Sequence, residues 1–160
     1  HPYQGKVWEA IAGPQEGRPY RQLYFSRRDY ENPSFGSKRP LDNEAAVEAV
    51  FASYGFQIVY PDRVASGEIR RLLRQAKILA GAVGSNMHNC VFLPQGASVI
   101  VLGPKSFLER VLVERMVNPG MERRVFYFGV ETAERYGPRT QAGWSVDVGA
   151  LEQGLRNVLG

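Results

Sequence analysis

Cysteine occurs once in this 160-residue chain, at Cys90, and histidine only twice. A single thiol allows no internal disulfide, which suits a reducing, cytoplasmic setting. Three such side chains cannot by themselves compose a structural zinc site. No apolar run approaches the roughly 20 residues that a membrane span needs. The opening HPYQGKVWEA has neither a Met nor the basic-then-apolar order of a signal peptide, so it reads as the cut end of a longer protein. Blocks of Lys and Arg, helix-turn-helix spacing and zinc spacing are all missing, which argues against nucleic acid as the partner. The net charge of +4 and pI near 9.4 therefore favour anionic partners only in general. There are no internal repeats and no low-complexity segments.

What is present is an ordinary globular composition, 44% hydrophobic and 22% charged, in a length that suits one domain. KVWEAIAG reads as a short helix and GPQEGRPY as a turn. RQLYFS (21–26) reads as a buried strand, followed by a long polar loop. Asn43 is placed to cap a helix in which Val47, Val50, Phe51 and Tyr54 recur at helical spacing, with Gly55 ending it. FQIVYP reads as the second strand. Ser66 is placed to cap a helix with Ile69, Leu72, Leu73 and Ala76 inward, and with Arg70, Arg71, Arg74 and Lys77 on a solvated face. KILAGA, ASVIVLG and RRVFYFGV read as three further strands, SFLERVLVERM as a helix, and Asp147 as the cap of a final helix on Leu151, Leu155, Val158 and Leu159. Strands alternating with helices predict an α/β fold: a three-layer α/β/α Rossmann-like domain with a mainly parallel sheet. Ligands of such sheets bind beyond the carboxyl ends of the strands.

Two stretches fall on that edge. The first is GAVGSNMHN (81–89), where Gly81 and Gly84 allow a close backbone approach. Ser85 and Asn86 add donors at the start of a helix, whose N–H groups favour a phosphate. The stretch is neither G-x-G-x-x-G nor a Walker loop, so a phosphate cradle and a tight structural turn both remain open. The second is SRRDYENPSFGSKRPLDNE, in which Arg27 follows the first strand and Arg39, Asn43 and Glu44 open the next helix. Planar guanidinium groups there suit a diphosphate. The competing reading pairs Arg39 with Glu44 and leaves Arg28 and Lys38 in a solvated loop. His88 invites a catalytic role because its ordinary pKa lies near neutrality, or it is a hydrogen-bonded helix residue. Cys90 reads as a small core residue.

The ordered set LYFSR, RPLDNE, YGFQIVYPD and LLRQAKILAGAVGSNMHNCVFLPQGASVIVL resembles glycosyltransferase family 61, over roughly residues 21–112, with WSVDVGALEQGL also similar. The resemblance implies the C-terminal half of a two-domain, GT-B-like transferase, often annotated for capsular polysaccharide biosynthesis. Residues 1–20 would then be an N-terminal segment from a cut end, and 21–160 a nucleotide-sugar-binding domain. Arg27 matches the family's Ser-Arg, and Arg39, Asn43 and Glu44 match its Arg…Asn-Glu segment. Gly81, Gly84 and Asn89 match its glycine turn, usually G-x-H-G-A-G-L-T-N. Val83 stands where the family has histidine, Ser85 where it has alanine, Asn86 where it has glycine, and His88 where it has threonine.

The function that follows is an inverting glycosyltransferase moving a sugar from a nucleoside diphosphate sugar to a hydroxyl acceptor. Arg27 and His88 are its catalytic candidates. Gly81, Gly84, Ser85, Asn86, Asn89, Arg39, Asn43 and Glu44 are its donor-binding candidates. No cofactor and no metal are expected, in keeping with the lack of a D-x-D stretch. The partners are a nucleotide sugar, a glycan acceptor and an upstream domain of the same protein. The location is cytoplasmic, at the inner face of the membrane for the full-length protein. These 160 residues alone would bind donor weakly and transfer no sugar. The alternative is a degenerate, non-catalytic module that binds a nucleotide, a sugar or a protein partner.

Overall fold

The computed structural model describes residues 3–15, 17–28, 41–105, 118, 122–130 and 143–160. Its elements are α1 (Gln4–Ala12), β1 (Arg21–Phe25), α2 (Glu44–Ser53), β2 (Gln57–Val59), α3 (Ser66–Arg74), β3 (Ala76–Ala82), a 3-10 helix (Ser85–Phe92), β4 (Ser98–Pro104), β5 (Arg124–Val130) and α4 (Val148–Leu159). The five strands form one sheet in the order β2-β1-β3-β4-β5. Every neighbouring pair is parallel. The expected α/β Rossmann-like fold is therefore present.

Alternation along the strands splits the core in two, because successive side chains point to opposite faces of a sheet. Leu23, Phe25, Leu79, Val99 and Val101 pack with Leu72 and Leu73 of α3 and with Met87 and Cys90 of the 3-10 helix. Tyr24, Ile78, Ala80, Ile100 and Leu102 pack with Val47, Val50 and Phe51 of α2 and with Leu151 and Leu155 of α4. Helices on both faces explain why β3 and β4 read as near-continuous apolar runs. Tyr24 stacks on Phe51 at 4.5 Å, and Phe51 meets Phe56 edge-on at 4.9 Å. Such contacts add about 0.5–1.5 kcal/mol each beyond area burial and hold α2 against β1.

Several helix ends differ from expectation. Asn43 occupies the N-cap position of α2, but its side chain makes no capping bond. Its Nδ2 donates to the Val146 carbonyl at 2.7 Å, and its Oδ1 accepts from the Val146 N–H at 3.0 Å. With the Leu41–Trp144 bridge and an Asp42 N–H bond to the Trp144 carbonyl at 2.8 Å, this straps the segment before α4 to the start of α2. Ser66 is the first residue of α3 and Ala65 its cap, with no side-chain capping bond. Ala76 and Lys77 belong to β3, so the α3 stripe ends at Leu73. Arg74 is half-buried instead of solvated, and its Nε is buried without a hydrogen-bond partner. Other expectations hold. Gly55, at φ 81°, follows the end of α2, and Asp147 Oδ1 accepts from the Ala150 N–H at 2.9 Å to cap α4. The expected helix at 106–116 and the loop residues Lys38 and Arg39 lie outside the described residues.

Candidate functional site

The carboxyl ends of β1, β2 and β3 lie side by side, and the chain leaves each one with polar residues. After β1 come Ser26, Arg27 and Arg28; after β2 comes Tyr60; after β3 come Val83 and Gly84. Two buried carboxylates from α2 organise this edge. Glu44 Oε1 accepts the Arg27 backbone N–H at 2.7 Å and the Tyr24 hydroxyl at 3.2 Å. Glu48 Oε1 accepts the Ser26 hydroxyl at 2.6 Å, while Glu48 Oε2 lies 2.9 Å from Arg28 Nη2 and accepts the Tyr60 hydroxyl at 3.3 Å. Arg28 also donates to the Tyr60 hydroxyl at 2.7 Å. Arg28 is thus exposed but ion-paired, which amends the reading of a merely solvated side chain.

Burial raises the Glu44 carboxyl above its ordinary value, against the lowering effect of the bonds from Arg27 and Tyr24. Burial also raises the Tyr24 phenol well above its usual value, and the Glu44 charge adds to the shift. Tyr24 therefore stays a neutral donor and fixes Glu44 from below, while Glu44 fixes the backbone of Arg27 from the side. Asp62, in the turn after β2, is raised by desolvation and lowered by the charge of Arg27, so it lies within electrostatic reach of that guanidinium.

Arg27 and the glycine turn, 56 residues apart, meet here: Arg27 Nη1 donates to the Val83 carbonyl at 3.3 Å. A Cβ placed on Gly84 would lie 3.1 Å from the same nitrogen. Gly84 has φ 155° and ψ −179°, a conformation that belongs almost solely to glycine. It is the N-cap of the 3-10 helix, whose first N–H groups, at Ser85 and Asn86, have no acceptor inside the helix. The Val83 side chain is buried beside Leu79 and Met87, so residue 83 takes part through its carbonyl alone.

The other candidates divide. Ser85 is exposed and Asn86 half-exposed at the opening of the helix. His88 is exposed one 3-10 turn beyond Ser85, on the same side of a helix with three residues per turn. Asn89 Nδ2 donates to the Asn86 carbonyl at 3.0 Å, a bond within the helix. Gly81 is buried in β3, where a Cβ would lie 2.7 Å from Met87 Sδ and 3.0 Å from the Phe25 carbonyl oxygen. Its lack of a side chain serves packing. Asn43 is engaged with Val146, while Glu44 holds Arg27; Arg39 lies outside the described residues. Among the described residues, no cluster of three or more His, Cys, Asp or Glu side chains could hold a metal ion. No helix among them is long and apolar enough to cross a membrane.

Sequence reasoning passed over Arg123. It is buried just before β5 and caps the far end of the 3-10 helix. Its Nε donates to the Pro94 carbonyl at 3.1 Å, and Nη1 donates to the Cys90 carbonyl at 2.8 Å and to Asn118 Oδ1 at 3.4 Å. Nη2 donates to the Val91 carbonyl at 3.3 Å and to that of Leu93. All five guanidinium N–H groups have acceptors. Burial lowers its pKa to about 10, which leaves it cationic at neutral pH. A cation among the last carbonyls of a helix is favourably placed against the helix dipole. The helix is therefore fixed at both ends, by Gly84 beside Arg27 and by Arg123. Nothing in the local sequence marks this, since Arg123 meets carbonyls about 30 residues upstream. Glu48 was missed for a related reason, because it sits among surface-like residues of an amphipathic helix and only the sheet edge buries it.

The family model described as Glycosyltransferase 61 matches residues 5–100, which include Arg27, Glu44 and the whole glycine turn. No curated protein matches this chain.

Proposed function

The chain belongs to the glycosyltransferase 61 family, and from that premise we propose that it is the donor-binding part of an inverting glycosyltransferase acting in capsular or surface polysaccharide biosynthesis. The observation that carries this reading is the seating of the Arg27 guanidinium against Gly84, at the opening of the 3-10 helix and on the carboxyl edge of a parallel sheet. In the reaction a base removes the proton of an acceptor hydroxyl. The freed oxygen attacks the anomeric carbon, and the bond to the nucleoside diphosphate breaks. Negative charge grows on the departing diphosphate, so fixed donors aimed at it favour the transition state. Arg27 would supply a planar fork, and the Ser85 and Asn86 N–H groups would supply the helix opening. Glu44, by holding the Arg27 backbone, keeps that fork in place. Exposed His88 of the 3-10 helix and exposed Asp62 of the turn after β2 are the side chains to be tried as proton acceptors.

The test is a titration of the chain with a panel of nucleotide sugars, followed by hydrolysis assays. Charge-assisted bonds contribute about 1.5–3 kcal/mol each, so Arg27→Ala should weaken donor binding by roughly ten- to a hundredfold. Arg70→Ala, exposed on the outside of α3, should change little. Equal losses at the two positions would return the turn to a tight structural connection. Binding without turnover, in the chain and in a longer form of the protein, would favour the non-catalytic module.

A further inference from the structure

The strand order β2-β1-β3-β4-β5 changes direction at one place. The chain steps from β1 outward to β2 through α2, then crosses back over β1 through α3 to reach β3. α2 packs on one face of the sheet and α3 on the other, so their connections part between β1 and β3. Open α/β sheets receive their ligands in the crevice left at such a point. Arg27 and Gly84 stand on its two sides. Neighbouring strands lie about 4.8 Å apart, so the exit of β2 is about one such step from that of β1, away from Gly84. That exit carries Tyr60 and then the 3-10 turn Pro61–Arg63, with Asp62 as its middle residue. The Arg63 N–H bonds the Tyr60 carbonyl at 2.9 Å, and the Val64 N–H bonds that of Pro61 at 3.3 Å, which fixes the turn. Two ties hold it against β1. The Ser26 N–H donates to the Val59 carbonyl at 2.9 Å, and Glu48 binds the Ser26 hydroxyl with one oxygen and that of Tyr60 with the other. The Asp62 carboxylate is exposed, yet desolvation raises it and the charge of Arg27 reaches it, so it stands beside the crevice.

We propose that Asp62 accepts hydrogen bonds from the ribose hydroxyls of the donor, which makes the ligand of this edge a ribonucleoside diphosphate and Asp62 the residue that tells it from the 2′-deoxy form. The inference rests on the donor-binding reading and adds to it the direction in which the nucleotide lies. A diphosphate held between Arg27 and the glycine turn leaves its nucleoside over the exit of β2 or over that of β4. The exit of β4 carries Lys105, whose ammonium only donates. The exit of β2 carries a carboxylate, which only accepts and has two oxygens for a pair of neighbouring hydroxyls. The 5′-methylene and ring of a ribose span about one strand spacing, which is the step from β1 to β2. The charge of Asp62 repels a phosphate, so the diphosphate itself is kept to the Arg27 side. A site that bonds a hydroxyl rejects the analogue lacking it, because its own polar group is then left unmet.

The whole chain is titrated with UDP, GDP and CDP, with the 2′-deoxy form of each, and with inorganic pyrophosphate. A ribonucleotide that binds should do so about tenfold more tightly than its 2′-deoxy form, the low end for bonds to a charged group because Asp62 is exposed. Asp62→Ala should weaken the ribonucleotide about tenfold and leave the 2′-deoxy form and pyrophosphate no weaker, so that the preference disappears. Asp62→Asn, whose amide oxygen still accepts, should keep a preference of about threefold. Glu152→Ala is the control, on α4 where its carbonyl meets Tyr54 at the far end of α2, and it should change none of these. Circular dichroism confirms the fold of each variant. Equal affinity for the ribose and 2′-deoxy forms, or the same preference with and without Asp62, would overturn the proposal. Loss of nucleotide-sugar hydrolysis in Asp62→Ala with the preference intact would make Asp62 a proton acceptor and overturn it too. Arg27→Ala on the same probes separates the two readings. Losses there for pyrophosphate and nucleotides alike, with no preference for ribose, sink the ribose site alone. Failure of every probe to bind sinks the donor reading and this inference with it.

Discussion

Gly84→Ala tests the geometry of the site more sharply than loss of a charge. The new Cβ would sit on a backbone at φ 155° and ψ −179°, where a non-glycine residue costs about 1–3 kcal/mol. It would also lie 3.1 Å from Arg27 Nη1 and 3.6 Å from Arg27 Cζ. Those atoms end a flexible side chain, so the guanidinium can yield by a few tenths of an ångström at little further cost. The backbone term should therefore dominate stability, and the displaced guanidinium should dominate binding. For a chain of this size about 1 kcal/mol corresponds to roughly 2–4 °C, so Tm should fall by about 2–12 °C. Nucleotide-sugar affinity should fall about tenfold, equivalent to roughly 1.4 kcal/mol. Differential scanning fluorimetry and titration calorimetry measure the two separately. Gly96→Ala is the control, since Gly96 is at φ 75° with nothing within 4 Å of its built Cβ. It should lower Tm and leave affinity alone. In an Arg27→Ala background, Gly84→Ala should still lower Tm but weaken binding no further, because neighbouring sites couple. A wild-type Tm for Gly84→Ala, or the same loss of affinity with and without Arg27, would refute the reasoning.

Gly81→Ala should destabilise by about 1–3 kcal/mol in urea denaturation, because its Cβ would overpack against Met87 and the Phe25 backbone; unchanged stability would reopen a ligand-facing role for that residue. Burial raises Glu44 above its ordinary 4.5, so its contribution to stability is fully present below that value and is lost as pH rises through the raised one. Glu44→Gln, which does not titrate, should therefore gain on the wild type as pH climbs from 4.5 towards neutrality, and a pH-independent difference between them would contradict this. Arg123→Lys replaces five donors by three and should leave buried carbonyls unpaired at about 1–3 kcal/mol each, with faster amide exchange through residues 85–92; wild-type stability and exchange would show that the cap is dispensable.

The sheet was legible in the sequence because each strand carries its own signal: alternation or an apolar run, bounded by Gly, Pro or Asp. Asp147 was legible for a similar reason, since its capping partner is only three residues away. Asn43 and Ser66 have the same local credentials and yet do not cap. Asn43 finds two better partners 103 residues away at Val146, which no local pattern announces. At the site, the meeting of Arg27 with Gly84 followed from topology, because adjacent parallel strands deliver their exits to one edge. The supports of that meeting were not legible. Glu48, Tyr60 and Arg123 look like surface or strand-end residues until the chain is folded; the side-chain partners of the first two lie between 12 and 32 residues distant, and those of Arg123 are chiefly backbone carbonyls of no particular sequence.

The dependence of the 3-10 helix on Arg123 bears on how the protein is assembled and on where it can be trimmed. The segment matched by the family model ends at residue 100, before Arg123 and β5. A nascent chain that has emerged only that far already holds Arg27, Glu44 and the glycine turn, but the helix end they depend on is still uncapped. Its carbonyls at 90, 91, 93 and 94 then wait for an arginine not yet synthesised. Rigidity of the turn and its helix should thus come with docking of β5 onto β4 instead of preceding it. A shortened gene product ending near residue 100 would keep Arg27, Glu44 and the glycine turn and lose the cap that holds the 3-10 helix in place.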